Sequence, residues 1–570
     1  MRYIALACDY DGTLALDGQV DEKTLAALER VRDSGRKLLL VTGRELDDLR
    51  KIFPHFELFE HIVAENGALL YVPSTGEERW LGERPPEEFV KALSARGVAP
   101  ISVGRIIVAT WHPHENTVLE TIRDLGLELQ VIFNKGAVMV LPSGVNKATG
   151  LSAALGDLGL SPHNVVGIGD AENDHSFLSL CECAVAVANA LPMLQERADY
   201  VTQRDHGGGV IELIDQLLAF DLRELEPHLE RHDIPLGAHA DGQEVRLKPY
   251  GVNLMLAGSS QGGKTTLATG VSERFMERGY QLCIIDPEGD YSTLEGAVVL
   301  GDSTRVPKVD EVLEFLQKPE QTVVVNLLGV ALGDRPAFFG GLLPRLQELR
   351  VQTGHPHWIV VDETHHLLPT SWDPASMVLP QGMYGMLLIT VQPDHVTPAI
   401  LSIVDTVIAI GESPEHIIRV FCEAVGQTPP PLAPVTLTPG EALVWSRQTG
   451  AAPVWIQSLP PRAERHRHHR KYAEGELAPE LSFYFRGPEG KLNLRAQNLM
   501  TFLQLAEGVD RETWLYHLRR GEYSHWFRDV IKDADLAAEA EHIEEMANAS
   551  PSETRTLMRA AIEKRYTGPS

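Results

Sequence analysis

Short apolar runs ending in Asp, Gly or Asn alternate with amphipathic helical stretches, first over residues 1–221 and again over residues 251–457. Parallel strands need a crossover of a dozen or more residues, which a helix usually supplies. Each stretch therefore reads as an α/β layer with a parallel sheet covered by helices. A different texture at about 80–140 reads as an α+β insert in the first layer. At 570 residues the chain is too long for one core, and three or four domains are expected. Residues 222–250 read as a polar linker leading into a short β element. Residues 458–475 read as a basic, His-rich linker, and 476–570 as a small, mostly helical domain. There are no internal repeats.

With 44% hydrophobic and 23% charged residues the composition is that of a folded protein. A formal charge of −28 argues against a general nucleic-acid coat, because phosphate contacts need positive charge, but it leaves room for a local basic channel. The five cysteines are scattered, which predicts buried thiols in a reducing compartment and no zinc site. No secretory pattern opens the sequence and no apolar run approaches the roughly 18 residues of a membrane helix. The expectation is a cytoplasmic protein without a membrane partner.

Asp9 and Asp11 follow the first apolar strand, with Gly12 allowing a sharp turn. Residues two apart on an extended chain share a face, so both carboxylates are expected at a strand tip, where open α/β sheets place ligands. One carboxylate could attack phosphorus while the other moves protons. Thr42, also at a strand end, offers a hydroxyl to a phosphoryl oxygen. Lys147 could neutralise charge on the transferring group. Asp170 and Asp174 end a further strand, and an oxygen-rich set of this kind suits magnesium.

These four stretches, in this order, resemble the haloacid dehalogenase superfamily, and within it the capped sugar-phosphatase branch. The resemblance implies a Rossmann-like core with the insert as cap. It makes Asp9 the nucleophile and Asp11 the acid/base, with the backbone carbonyl of Asp11 on magnesium beside Asp9, Asp170 and Asp174. Thr42 and Lys147 would bind phosphate, supported by Asn173, and Glu65, Asn66 and Gly67 would lie near the substrate. Trp111, His112 and His114 are candidate cap contacts, with ordinary packing as the equal alternative. The implied substrate is a phosphorylated small molecule or a nucleotide.

Gly258, Ser259, Ser260, Gln261, Gly262, Gly263, Lys264 and Thr265 fit G-x-x-x-x-G-K-[ST] between a strand and a helix, and Thr266 follows. The backbone N–H groups of such a loop cradle phosphates at a helix N-terminus. Lys264 would reach the outer phosphates and Thr265 the magnesium. Asp362 and Glu363 end another apolar strand, to hold that magnesium through water and to activate the attacking water. Gln392 would sense the terminal phosphate. Together with the stretches around 286 and 362, these residues resemble the HerA/FtsK group of hexameric, DNA-pumping P-loop ATPases with a RecA-like fold.

That resemblance implies ATP as substrate, a homo-oligomeric ring, and double-stranded DNA as a partner. Departures are the absence of the β-barrel of HerA, Pro393 where the group often has Arg, and no assignable arginine finger among Arg345, Arg350 and Arg419. Trp526 and Phe527 are expected in the core of the tail domain, which is similar to a small domain accompanying bacterial phosphatases and regulators and would serve docking. The leading expectation is a bifunctional phosphohydrolase and ATPase; the alternative is a DNA-translocating motor whose first domain acts on nucleic-acid or nucleotide phosphates.

Overall fold

The computed structural model describes all residues except 260–262, 372–382, 433, 449, 463–476, 478–481, 532, 547–548 and 567–570. They form two compact units, Met1–Leu459 and Pro460–Ser570. The basic linker at 458–475 falls largely outside the described residues.

The first sheet of the larger unit has eight strands, with Ala5–Cys8 between Lys37–Val41 and Val165–Gly169. These three are parallel and in register, Cys8 lying opposite both Leu40 and Ile168. Their continuations, Asp9, Thr42 and Asp170, therefore emerge along one edge. All four residues of Ala5–Cys8 are buried, as expected where helices cover both faces of a parallel sheet.

The insert is a four-stranded antiparallel sheet, ordered Ser102–Val103, Val108–Trp111, Ala137–Pro142, Leu129–Asn134. Alternation along Ala137–Pro142 gives it two apolar faces. Val138 and Val140 pack with Phe89 and Val118 of the insert's own helices. Met139 and Leu141 face the other way, onto Ala68 and Val145 of the core. The insert is thus seated on the tip of the first sheet.

A second sheet of eleven strands places Leu254–Gly258 between Met386–Thr390 and Thr406–Ile410, all parallel, with Trp358–Val361 one strand further out. Period-2 alternation splits the central strand between two cores. Met255 and Ala257 enter one cluster, Leu254 and Leu256 the other. The segment 222–250 contributes more than a short lead-in. Ile234–Ala238 pairs with Glu244–Leu247 and with Val454–Ser458, extending the sheet, because alternating Ile234 and Leu236 bury on its face.

The two sheets meet in a buried polar network. Glu182, 1% exposed, is paired with Arg2, meets His163 Nδ1 at 2.6 Å and accepts from the Tyr280 hydroxyl at 3.0 Å. His163 Nε2 lies 2.7 Å from the carbonyl of Arg278, and its ring stacks on Tyr280 at 3.8 Å. Asn164 donates to the Gly354 carbonyl at 3.2 Å, and His355 Nε2 lies 3.1 Å from the carbonyl of Gly159. Burial pushes the Glu182 carboxyl up, but the Arg2 guanidinium and His163 outweigh it and hold it below the ordinary range.

A depressed folded-state value adds stability above the unfolded value, and that stability is lost as pH falls. Replacing Glu182 by Ala leaves Arg2 buried without its main partner and is expected to cost about 3–5 kcal/mol. Urea unfolding of both proteins checks this. The deficit should be full at neutral pH and should narrow progressively below roughly pH 4, as the unfolded chain takes up a proton on this carboxyl that the folded protein does not.

The smaller unit joins the hairpin of Phe483–Phe485 and Leu494–Ala496 to the helices Leu499–Gly508, Arg511–Leu518, Glu522–Asp529, Ala534–Glu544 and Pro551–Tyr566. Trp526 and Phe527 lie in its core with Phe502, Trp514 and Tyr523. All five cysteines are free and buried. Among the described residues no helix is long and apolar enough to cross a membrane.

Candidate active sites

Lys147 is the hinge of the first site. Its ammonium, 1% exposed, donates to Asp9 Oδ1 at 2.5 Å and to Asp174 Oδ1 at 2.6 Å. It opens the helix Lys147–Leu158, whose start is fixed by Asn146, the side chain of which accepts from the backbone of Ala148 and Thr149. Asp174 Oδ2 accepts from the backbone N–H groups of Asp170 and Ala171, both at 2.9 Å. Ligand oxygens of Asp9, Asp170 and Asp174 lie within 4.8 Å of one another.

Burial, with Asp174 close by, pushes the Asp9 carboxyl well up, against the pull of Lys147. Burial works against the Lys147 ammonium, but Asp174 and Asp9 hold it well above the usual lysine range. Three buried carboxylates converging on one point fit a hard divalent ion such as magnesium. Gly12 is confined by this cluster. At φ +85 it adopts a left-handed backbone, and a Cβ there would stand 2.2 Å from Asp170 Oδ2.

Asp11 sits differently from the expectation that it shares a face with Asp9. Its carboxylate, 41% exposed, is clamped by Arg44, Nε to Oδ2 and Nη2 to Oδ1 both at 2.6 Å, and Arg44 also holds Asp48. The turn at Gly12 and this bidentate pair draw Asp11 away from the buried cluster. Thr42 is buried, its Oγ1 accepting from the Arg44 N–H at 3.1 Å. Asn173 donates to Asn66 Oδ1 at 3.0 Å, leaving Asn173 Oδ1 and Asn66 Nδ2 buried without protein partners beside the cluster.

Glu65 accepts from the backbone N–H groups of Arg105, Ile106 and Ile107 at 2.8, 2.7 and 3.0 Å and so latches the cap. Of the candidate cap contacts, Trp111 is exposed, His112 stacks on Phe133 and pairs with Glu115, and His114 Nε2 lies 3.2 Å from the Ala99 carbonyl. The cap residue that does reach the cluster, Lys135, is absent from the sequence reading. Its ammonium pairs with Asp170. Gly136 between two apolar runs is the signal that could have marked this hairpin turn, but the aim of Lys135 depends on how the cap seats.

In the second site Leu254–Gly258 leads into the loop and Lys264–Glu277 forms the following helix. Ser260, Gln261 and Gly262 lie outside the described residues. Lys264 is buried and donates to the Ser259 carbonyl at 3.3 Å, and Thr266 lies half-buried in the first helical turn. Thr265 donates to Asp290 Oδ2 at 3.0 Å, a partner not singled out in the sequence. Asp290 stands in the turn that Asp286 organises by accepting from the N–H groups of Gly289, Asp290 and Tyr291.

Burial, with Glu363, Asp286 and Asp290 nearby, pushes the Asp362 carboxyl up to about 8. Burial also raises Glu363, against Lys264, and its backbone is held at φ 41, a conformation unusual for a residue other than Gly. His365 Nδ1 lies 3.3 Å from Glu363 Oε2, and burial pushes this imidazole down to about 4. Gln392 shares a cavity of about 540 Å³ with Ser259, Glu412 and His416.

Arg350 is removed from the arginine-finger candidates. It is buried, and its guanidinium donates to the carbonyls of Pro356, Tyr384, His357 and Gly385. Arg345 pairs with Asp310 and Glu348 on the surface, and Arg419 is exposed.

The profile of the haloacid dehalogenase-like hydrolases matches residues 6–93 and 102–214. A phosphoglycolate phosphatase of Methanothermobacter thermautotrophicus is 31% identical over 230 residues, 38% of this chain and 99% of that protein. Phosphoglycolate phosphatase 2 of Saccharolobus solfataricus is 29% identical over 222 residues, 38% of this chain and 93% of that protein. The phosphoglycolate phosphatase of Natronomonas pharaonis is 30% identical over 222 residues, 37% of this chain and 96% of that protein.

Proposed function

Through its amino-terminal portion the chain belongs to the haloacid dehalogenase-like hydrolases, and we propose that this portion hydrolyses small phosphate monoesters through a phosphorylated Asp9. The observation that carries the reading is the Lys147 ammonium between Asp9 and Asp174, with Asp170 in ligand reach of both carboxylates. Asp9, Asp170 and Asp174 would hold magnesium, which supplies positive charge to the phosphoryl oxygens.

The Asp9 carboxylate attacks phosphorus in line, and the ester oxygen departs on the far side, on the side of the cap. Lys147 and Thr42 hold phosphoryl oxygens, with the spare amide atoms of Asn66 and Asn173 available to the same group. Asp11, released from Arg44, protonates the departing oxygen and then takes a proton from the water that cleaves the aspartyl phosphate. The expected result is phosphate release from small monoesters that is lost with a chelator and restored by magnesium. Release unaffected by chelation would refute the proposed site.

For residues 251–457 the reading is ATP hydrolysis. It is supported by the strand–loop–helix around Lys264 and by Asp362 and Glu363 two strands away. Lys264 would hold the outer phosphates, Thr265 and Asp362 the magnesium, and Glu363 the attacking water, with Gln392 near the terminal phosphate. A homo-hexameric ring acting on double-stranded DNA extends this proposal. Its expected signature is ATP turnover stimulated by DNA and absent from Lys264→Ala.

A further inference from the structure

The cap carries a charged side chain into the first site. Lys135 and Gly136 form the two-residue turn between Leu129–Asn134 and Ala137–Pro142, with φ of +45 and +87, the pair of left-handed conformations of a tight hairpin turn. Gly suits this conformation, whereas Lys adopts it at a cost in backbone strain. That turn aims the ammonium at Asp170, and a Cβ on Gly12 would lie only 2.7 Å from Lys135 Nζ. The side chain stays 47% exposed, open to the cleft between cap and core. On the preceding strand, Asn134 Oδ1 is buried without a partner.

The charges explain why Lys135 is left for a ligand. Asp9, Asp170 and Asp174 contribute three negative charges, and Lys147 with a divalent ion would balance them. Asp170, once it held a divalent ion, would no longer be free to accept from Lys135, whose ammonium would turn to the cleft. That group is on the cap side, and in-line attack by Asp9 sends the leaving group to that same side. Lys135 therefore meets the alcohol portion of the ester, whereas Lys147 meets the phosphoryl group.

We infer that Lys135 binds a carboxylate on the leaving group, so that the site selects phosphate monoesters of small hydroxy acids. This rests on the phosphohydrolase reading above and deepens it to a substrate class.

The test compares 2-phosphoglycolate with ethyl phosphate, two esters of similar size that differ in the carboxylate. For Lys135→Met the ratio of kcat/KM values, acid over ethyl ester, is expected to fall about 10- to 100-fold, the span of a hydrogen bond between charged groups. Lys135→Arg should recover most of that ratio. A second readout needs no turnover: calorimetric binding of 2-phosphoglycolate to Asp9→Asn should weaken to a similar degree when Lys135→Met is added. Equal losses on both esters, placing Lys135 on the phosphoryl group, or an unchanged ratio would overturn the inference and leave the hydrolase reading standing. A wild-type protein inert towards both esters would overturn the two together.

Discussion

Asp9→Asn should lower phosphate release by about 10⁴-fold or more, a loss of at least about 5.5 kcal/mol of transition-state stabilisation. The amide keeps the shape of the side chain and can still face Lys147, so the fold is expected to survive. What disappears is the charged oxygen that forms the bond to phosphorus, and no other group is placed to replace it. Asp170 and Asp174 are committed, the latter to two backbone N–H groups and to Lys147. Single-turnover phosphate release under saturating magnesium measures the effect. ATP hydrolysis by the same variant should be retained, since Asp9 stands in the other sheet. Residual release within tenfold of wild type would show that Asp9 is not the nucleophile.

Glu363→Gln is expected to reduce ATP turnover about 10²- to 10⁴-fold while ATP binding persists. The substitution leaves the backbone at φ 41 untouched, and the amide cannot take a proton from water. Asp362 remains to hold the metal, and Lys264 and the loop backbone to hold the phosphates. Nucleotide retention by the variant, measured by equilibrium binding beside steady-state turnover, separates loss of the base from loss of the site. Unimpaired turnover would remove Glu363 from its role.

Much of the first site was legible because its acids sit at the ends of apolar runs, and parallel strands in register must bring such ends together. Asp9, Thr42 and Asp170 follow from that rule. Lys147 stands where a helical pattern begins, and the structure adds the Asn146 cap that fixes that start. What could not be read was anything set by tertiary packing. The diversion of Asp11 to Arg44 depends on the path of the chain after Gly12. The reach of Lys135 depends on the cap seating through Met139 and Leu141. In the second layer, the unbroken apolar run of residues 254–257 is what a strand covered on both faces requires. The partnership of Thr265 with Asp290 lay hidden in a turn built by Asp286. Arg350, one of three arginines among which the sequence could not choose, proved to be tying four carbonyls together.

The network around Glu182 has a practical consequence for anyone dissecting this chain. Arg2 lies near the amino terminus, Tyr280 directly after the helix that opens with Lys264, and both end on one carboxylate beneath His163. Severing the polypeptide between residues 221 and 234 to obtain separate catalytic fragments would flood that junction with water and strand a guanidinium, a carboxylate and several imidazoles on a newly bared surface. The halves should melt as a single body when left joined. When divided, each fragment should precipitate or unfold well below the temperature that the intact protein tolerates.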